Sequence, residues 1–393
     1  MDLESAFRLI PISPTDFHLL GFSVNNLFYF DKALVFGASI SCAIFERFAK
    51  FLKFCIKQNF TSGDLIQYLD DFLGANTSYT SCLENMATFR SVTSNLGVPV
   101  AEEKTDGPTT ILTFLGLILD TNKMEIRIPK PKLQQVREKI EALVSKQKAT
   151  LKEIQSLIGS LNFCCRAIPL GRPFCRRLID KTCGLTKPHH HCRLTKEIRK
   201  DLMMWLQFFK YHNGISVFHD RFWISNEESQ LYSDSAGAIG LGFGAFFHGR
   251  WCQGAWPPAW LEEGLLLDIT VLELFPIVVA MFVWGDDLCN KKIRFNCDNI
   301  AVVHILNKLS AKSEPVMTLV RILTMRCLQK NILIKASHVP GASNDICDAL
   351  SRFQMTRFRA LAPEAADIPD NVPSFLWDIF TKEQQYLQWQ ALP

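Results

Sequence analysis

Leu65-Ile66-Gln67-Tyr68-Leu69-Asp70-Asp71-Phe72-Leu73-Gly74 is the stretch that decides the fold. Two short apolar runs flank a pair of adjacent acids, which predicts a tight β-hairpin with both carboxylates at its turn. Neighbouring carboxylates repel, so the arrangement is costly unless a cation sits against it. The competing reading is a plain acidic turn, because Asp favours turns. Upstream, residues 43–56 have helical apolar spacing and no breaker. Downstream, residues 114–119 and 124–128 are expected as the strands of a second hairpin around residues 120–123. Pro129 and Pro131 then mark a boundary, so residues 1–129 read as mixed α/β.

Residues 130–225 read as mostly helical and basic. Leu133, Val136, Ile140 and Leu143 share one helix face, and Thr150-Leu151-Lys152-Glu153 has the capping-box pattern. Residues 130–200 hold 17 Lys+Arg against 5 Asp+Glu, although the whole chain carries only +4. That imbalance suits a clamp on a polyanion; the competing reading is solvated lysines on ordinary helices. Arg166, Arg172, Arg176 and Arg177 interleave with Phe163, Pro169, Pro173 and Phe174 and are the candidate phosphate contacts. His189-His190-His191-Cys192, with Cys183, fits no standard zinc spacing and is expected as a solvated loop.

Residues 226–353 open β-rich and then alternate strand and helix. Asp234 ends an apolar strand and is followed by Gly237, Gly240, Gly242 and Gly244. Glu273 begins an apolar helix, although Thr270-Val271-Leu272-Glu273 also reads as a cap. Asp298 closes the strand 293–297, where a helix cap again competes. Asp348 opens a last short helix, with Asp345 as its rival. Four hard oxygen donors of this kind can hold paired Mg2+ ions, which suits phosphoryl chemistry. Trp251, Trp256 and Trp260 are expected in packing. Prolines 363, 369 and 373 suggest a tail or linker over residues 354–393.

Composition narrows the class. Hydrophobic content of 48% and charged content of 21% are those of a globular protein. The longest apolar run, residues 274–284, falls short of the roughly 20 residues that cross a bilayer. Without a signal-peptide pattern, the 13 cysteines read as reduced thiols. The expectation is an intracellular protein of cytoplasm or nucleus, neither secreted nor membrane-bound.

Five segments resemble successive reverse transcriptase motifs in family order: Asp2-Leu3-Glu4-Ser5-Ala6-Phe7, Leu34-Val35-Phe36-Gly37-Ala38-Ser39, Tyr68-Leu69-Asp70-Asp71, Gly97-Val98-Pro99 with Lys104, and Phe114-Leu115-Gly116. The wording is most similar to the DIRS/Ngaro retrotransposons, which integrate with a tyrosine recombinase. Asp2-Leu3-Glu4-Ser5-Ala6-Phe7-Arg8-Leu9-Ile10-Pro11-Ile12, Leu157-Ile158-Gly159-Ser160-Leu161-Asn162-Phe163 and Asp348-Ala349-Leu350-Ser351-Arg352 carry that likeness, which covers essentially residues 1–375. It implies that Asp2, Asp70 and Asp71 bind the polymerase metals, that Phe7 lies against the sugar, and that Phe36, Gly37 and Lys104 contact the nucleotide. Cys42-Ala43 departs from the usual Ala-Pro. Family members place a basic fingers region before the first Asp, and no tyrosine recombinase follows here. An N-terminally truncated fragment is therefore expected, with Asp2 on an incomplete, frayed strand. Primer extension is not expected from it alone, and a partner subunit could supply fingers.

The acids Asp234, Glu273, Asp298 and Asp348 resemble the Asp-Glu-Asp-Asp order of the ribonuclease H fold, and residues 338–344 resemble the loop before its fourth acid. The resemblance implies that His338 assists proton transfer or product departure, and that Asn299 and Asn344 contact nucleic acid. The expected fold is α/β and α+β multidomain: a partial reverse transcriptase palm, a helical thumb or connection, and a ribonuclease H-like α/β domain with a mixed five-stranded sheet. The expected activity is cleavage of RNA in RNA–DNA hybrids by two Mg2+ ions, with Mn2+ able to substitute. RNA template and DNA primer are further expected partners. The alternatives are a catalytically inactive relic, a nucleic-acid-binding module, or a ribonuclease-H-like transposase.

Overall fold

The computed structural model describes residues 1–211, 215–217, 222–224, 228 and 230–380. It divides into two compact units, Met1–Asn122 and Lys123–Pro393. Positions 225 and 226, where the third segment was expected to begin, lie outside the described residues, as do residues 381–393 of the expected tail.

The first unit contains β1 (Gly21–Val24), β2 (Leu27–Phe30), α1 (Ser41–Gln58), β3 (Asp64–Tyr68), β4 (Asp71–Ala75), α2 (Tyr79–Asn95), β5 (Ile111–Phe114) and β6 (Leu117–Asp120). On α1 the residues Phe45, Ala49, Leu52 and Ile56 form one fully buried stripe, which packs with Leu65, Phe72 and Phe89. β3 and β4 pair antiparallel with Tyr68 opposite Asp71, so Leu69 and Asp70 make the turn. The run expected as the first strand of the second hairpin is divided. Leu115 and Gly116 both have positive φ, 49° and 77°, which breaks residues 114–119 into two strands around a two-residue turn.

The second unit begins with β7 (Glu125–Arg127), α3 (Lys130–Val144), β8 (Lys148–Thr150), α4 (Leu151–Cys164), α5 (Arg176–Thr182), β9 (His191–Arg193), α6 (Lys196–Tyr211) and β10 (Ile215–Val217). Leu133, Val136, Ile140 and Leu143 are buried on α3, and the Thr150–Glu153 capping box forms in both directions. Part of the expected His189–Cys192 loop is instead strand β9, paired with β8.

There follow β11 (Leu231–Ser235), β12 (Gly242–Phe247), β13 (Arg250–Ala255), α7 (Pro258–Glu262), α8 (Ile269–Val283), β14 (Lys292–Cys297), α9 (Ile300–Lys308), α10 (Glu314–Gln329), β15 (Leu333–His338), α11 (Asp345–Ser351) and α12 (Met355–Leu361). The five strands form one mixed sheet in the order β13-β12-β11-β14-β15, antiparallel on the β13 side and parallel on the β15 side. α8 is buried from Val271 to Phe282, because it lies between the sheet and α10; a helix apolar all round needs both coverings. The architecture is the expected mixed α/β, multidomain one.

The expected tail is corrected for residues 354–380, which fold back onto the sheet. Phe358, Leu376 and Ile379 are fully buried. Trp251 Nε1 donates to the Ala366 carbonyl (2.7 Å), and Trp260 Nε1 to that of Trp377 (3.2 Å). The prolines punctuate a packed strap; its buried side chains are too widely spaced to show a period. Trp251, Trp256 and Trp260 are core residues, as expected. No helix among the described residues is long and apolar enough to cross a membrane.

Candidate functional site

Acids gather at one place in each unit. In the first, Asp2 bridges antiparallel to Asp71. Leu3 N–H donates to the Asp70 carbonyl (3.2 Å), Phe72 N–H to that of Met1 (2.8 Å), and Ala101 N–H to that of Asp2 (3.0 Å). The frayed strand expected around Asp2 is thus corrected: backbone bonds hold it between the hairpin and residues 99–101. Asp2 Oδ1 is buried without a partner, while Oδ2 meets Lys104 Nζ at 2.9 Å. Burial, then the charges of Asp70 and Asp2, raise the Asp71 carboxyl above its ordinary range. Asp2, Asp71 and Lys104 line a cleft of about 240 Å³ that runs past Phe72 to Asp106 and Phe114. Glu46 braces the turn by accepting from Gln67 Nε2 (2.8 Å) and Leu69 N–H (3.4 Å), a role that spacing did not reveal.

Phe7 packs against Phe45 and Phe36, with ring centroids 5.3 Å and 5.0 Å apart. Phe36 is 74% exposed beside Gly37, whose φ of 93° suits glycine. Lys104, expected at the nucleotide, pairs with Asp2 at the edge of this cleft.

In the second unit Asp234 ends β11, Asp298 follows β14 on the adjacent parallel strand, and Glu273 faces them from α8. α8 starts early enough that Asp268 is its cap, accepting from Thr270 N–H (3.0 Å), and Glu273 is freed from the capping alternative. Asn299 Oδ1 likewise caps α9, accepting from Ala301 N–H (2.9 Å) and Val302 N–H (3.2 Å), which frees Asp298. Asp234 and Glu273 are each 6% exposed. Burial, reinforced by Asp298 and Asp348, pushes Asp234 up to about 6; burial, then Asp234 and Asp298, push Glu273 up to about 9. Glu273 Oε2 and Asp298 Oδ1 are buried without hydrogen-bond partners. Orphaned acceptors of this kind fit a cation-binding set.

Asp348 is placed differently. It sits on α11 beside Asp234, but its oxygens accept from Arg352 Nε (2.7 Å) and Arg357 Nη1 (2.5 Å). Burial acts to raise its pKa, and the two arginines outweigh burial and hold it below the usual range. Its rival Asp345 shares Arg357 through Nη2 (2.6 Å). α11 can lie on the sheet because residue 244 has no side chain: a Cβ there would collide with Leu350 Cβ and come within 3.0 Å of the Cys347 carbonyl oxygen. His338 ends β15, exposed, in register with Cys297.

Several residues expected at nucleic acid have partners within the chain. Arg177 Nη1 binds Asp201 Oδ2 (2.7 Å), and Asp201 is fully buried with Arg321 Nη2 on its other oxygen (3.1 Å). The pair ties α5 and α6 to α10, so Arg177 holds the unit together. Arg176 pairs with Asp180 along α5 (2.9 Å). Arg166, Arg172 and Arg176 remain exposed. Asn299 is the cap just described. Asn344 is 2% exposed and donates to the Ser233 carbonyl (2.9 Å), which makes it a bolt between loop and sheet.

Residues 1–119 match the family model described as Reverse transcriptase (RNA-dependent DNA polymerase). Among solved structures, the foamy viral protease-reverse transcriptase dRH in complex with double-stranded DNA is 16% identical with a TM-score of 0.45, over 86% of this chain and 56% of that one. The foamy viral protease-reverse transcriptase in complex with an RNA/DNA hybrid is 12% identical with a TM-score of 0.35, over 91% and 66%. The chain thus spans little more than half of the first of these proteins. Its residues 1–119 form a stretch of reverse transcriptase type.

Proposed function

We propose that the chain carries reverse transcriptase and ribonuclease H units, of DIRS/Ngaro type, and that its second unit cleaves the RNA strand of RNA–DNA hybrids. One observation carries the reading: Asp234, Glu273 and Asp298 converge, burial raises the Asp234 and Glu273 carboxyls, and Glu273 and Asp298 each keep a buried oxygen without a hydrogen-bond partner. Asp234, Glu273 and Asp298 would hold the Mg2+ ions, joined by Asp348 once Arg352 or Arg357 releases an oxygen. Bound there, the ions would offset charge on the reacting phosphate. Ser351 Oγ, 2.7 Å from Asp234 Oδ2, orients that carboxylate. Exposed His338, at the end of the neighbouring strand β15, would exchange a proton with the departing strand. In the first unit Asp2, Asp70 and Asp71 would hold the corresponding ions for nucleotidyl transfer, with RNA template and DNA primer as partners.

The test is cleavage of a labelled hybrid in Mg2+ or Mn2+. Asp234→Asn and Asp298→Asn are each expected to abolish it while leaving circular dichroism unchanged; mutants that cut like the parent would remove these residues from the site. A second, non-catalytic reading draws on the double arginine hold on Asp348. It is favoured if the parent binds hybrid without cutting it and Arg357→Ala restores no cleavage.

A further inference from the structure

We infer that Cys297 makes the acid cluster of the second unit a Zn2+ site, through which zinc blocks the cleavage proposed above. The cysteine closes β14 one position before Asp298 and is fully buried. Its Sγ and one carboxylate oxygen each from Glu273 and Asp298 lie within 4.8 Å of one another. Among the described residues this is the only group of three metal-ligating side chains so close. The sulfur is fixed in place, accepting from the Asn299 backbone N–H at 3.4 Å. Glu273 supplies an independent sign of a ligand, since it is 6% exposed and its Oε2 has no partner.

Donor chemistry decides which ion gains from the third ligand. Mg2+ takes oxygen and leaves a thiol aside, whereas Zn2+ combines thiolate and carboxylate in a tetrahedral shell. Zinc–ligand bonds of about 2.0–2.3 Å put the ligand atoms roughly 3.5 Å apart. The three side chains therefore need to close by about 1 Å, which χ rotations of Glu273 and Asp298 supply. As the sulfur–zinc bond forms, the thiol proton leaves to solvent. Zinc held there occupies two of the four carboxylates that the cleavage reading assigns to Mg2+.

The inference rests on the proposed cleavage for its consequence but not for the site, and two readouts separate them. The first is the number of Zn2+ ions bound by the whole chain, from equilibrium dialysis under a non-thiol reductant. Cys297→Ser, Cys297→Ala and Glu273→Gln are each expected to bind one ion fewer than the parent. The second is the Zn2+ concentration that halves Mg2+-dependent hybrid cleavage, measured relative to each protein's own zinc-free rate. It is expected to rise at least tenfold in both Cys297 variants. Equal stoichiometry in the parent and all three variants overturns the site. An unchanged half-inhibiting concentration overturns the block. A parent that binds the extra ion but cuts no hybrid overturns the cleavage reading and leaves the zinc site standing.

Discussion

Ser351 Oγ donates to Asp234 Oδ2 across 2.7 Å, joining the last turn of α11 to the end of β11. The bond stabilises the ionised carboxylate and opposes the burial that raises its pKa to about 6. Ser351→Ala removes that opposition. In the metal-free protein the Asp234 carboxyl of Ser351→Ala is therefore expected to titrate above that of the parent, as followed by its carboxyl carbon NMR signal across pH. Coincident titration curves would show that the Ser351 bond does not act on Asp234.

Burial of Glu273 makes its contribution to the stability of the metal-free protein pH-dependent. Its folded pKa of about 9 lies above the ordinary 4.5, so the native state binds the extra proton. The linkage sign follows: stability is full below about pH 4.5 and declines as pH rises through 9. Without divalent cation, Glu273→Gln is expected to raise stability at pH 8 by on the order of 2 kcal/mol and to change little at pH 4. Urea unfolding at the two pH values checks this. A variant that loses stability at pH 8 would contradict the burial cost assigned to the charge.

Asp201 lies between Arg177 and Arg321, which is itself buried. Removing the acid leaves Arg321 charged and unpaired. Asp201→Ala should therefore cost about 3–5 kcal/mol, and the double variant with Arg321→Met should recover much of it. A loss below about 1 kcal/mol would mean that water compensates the arginines. Arg177→Gln is expected to lower stability without changing the slope of log affinity for hybrid against log salt. Arg166→Gln with Arg172→Gln is expected to flatten that slope by up to about two counterions.

Two glycines with opposite surroundings test the packing of α11. Gly244→Ala forces a methyl into Leu350 and is expected to reduce both stability and cleavage. Gly159 lies within α4 with nothing near its missing Cβ, so Gly159→Ala should stabilise by roughly 1 kcal/mol. Thermal melts of the two variants moving in the same direction would refute the contrast.

The contrast between what could and could not be read beforehand follows the range of the interactions. The Asp70–Asp71 hairpin, the capping box at Thr150 and strand β14 are encoded by neighbours a few residues apart, and local spacing located them. The turn at Leu115–Gly116 was missed because Leu rarely takes a positive φ, and an unbroken apolar run hides it. Arg177 looked like its exposed neighbours because its partners, Asp201 and the carbonyl of Ala311, are distant in sequence. Asn299 and Asn344 lay within family-like motifs, yet capping and sheet geometry claim their side chains. Cys297 escaped notice because nothing local distinguishes it from an ordinary strand residue; its nearness to Glu273 is a product of the fold.

The strap of residues 354–380 also bears on when the sheet can form during synthesis. Trp377 packs over Phe243 and Phe275, with ring centroids 5.8 Å and 5.5 Å away. β12 and α8 are translated more than 90 residues before that cover arrives. At roughly 5–20 residues per second the nascent sheet waits several seconds with that apolar surface open. A chaperone that shields aromatic surface would have its longest engagement in this interval, and a ribosome stalled ahead of Trp377 would display a sheet with its outer seam unsealed.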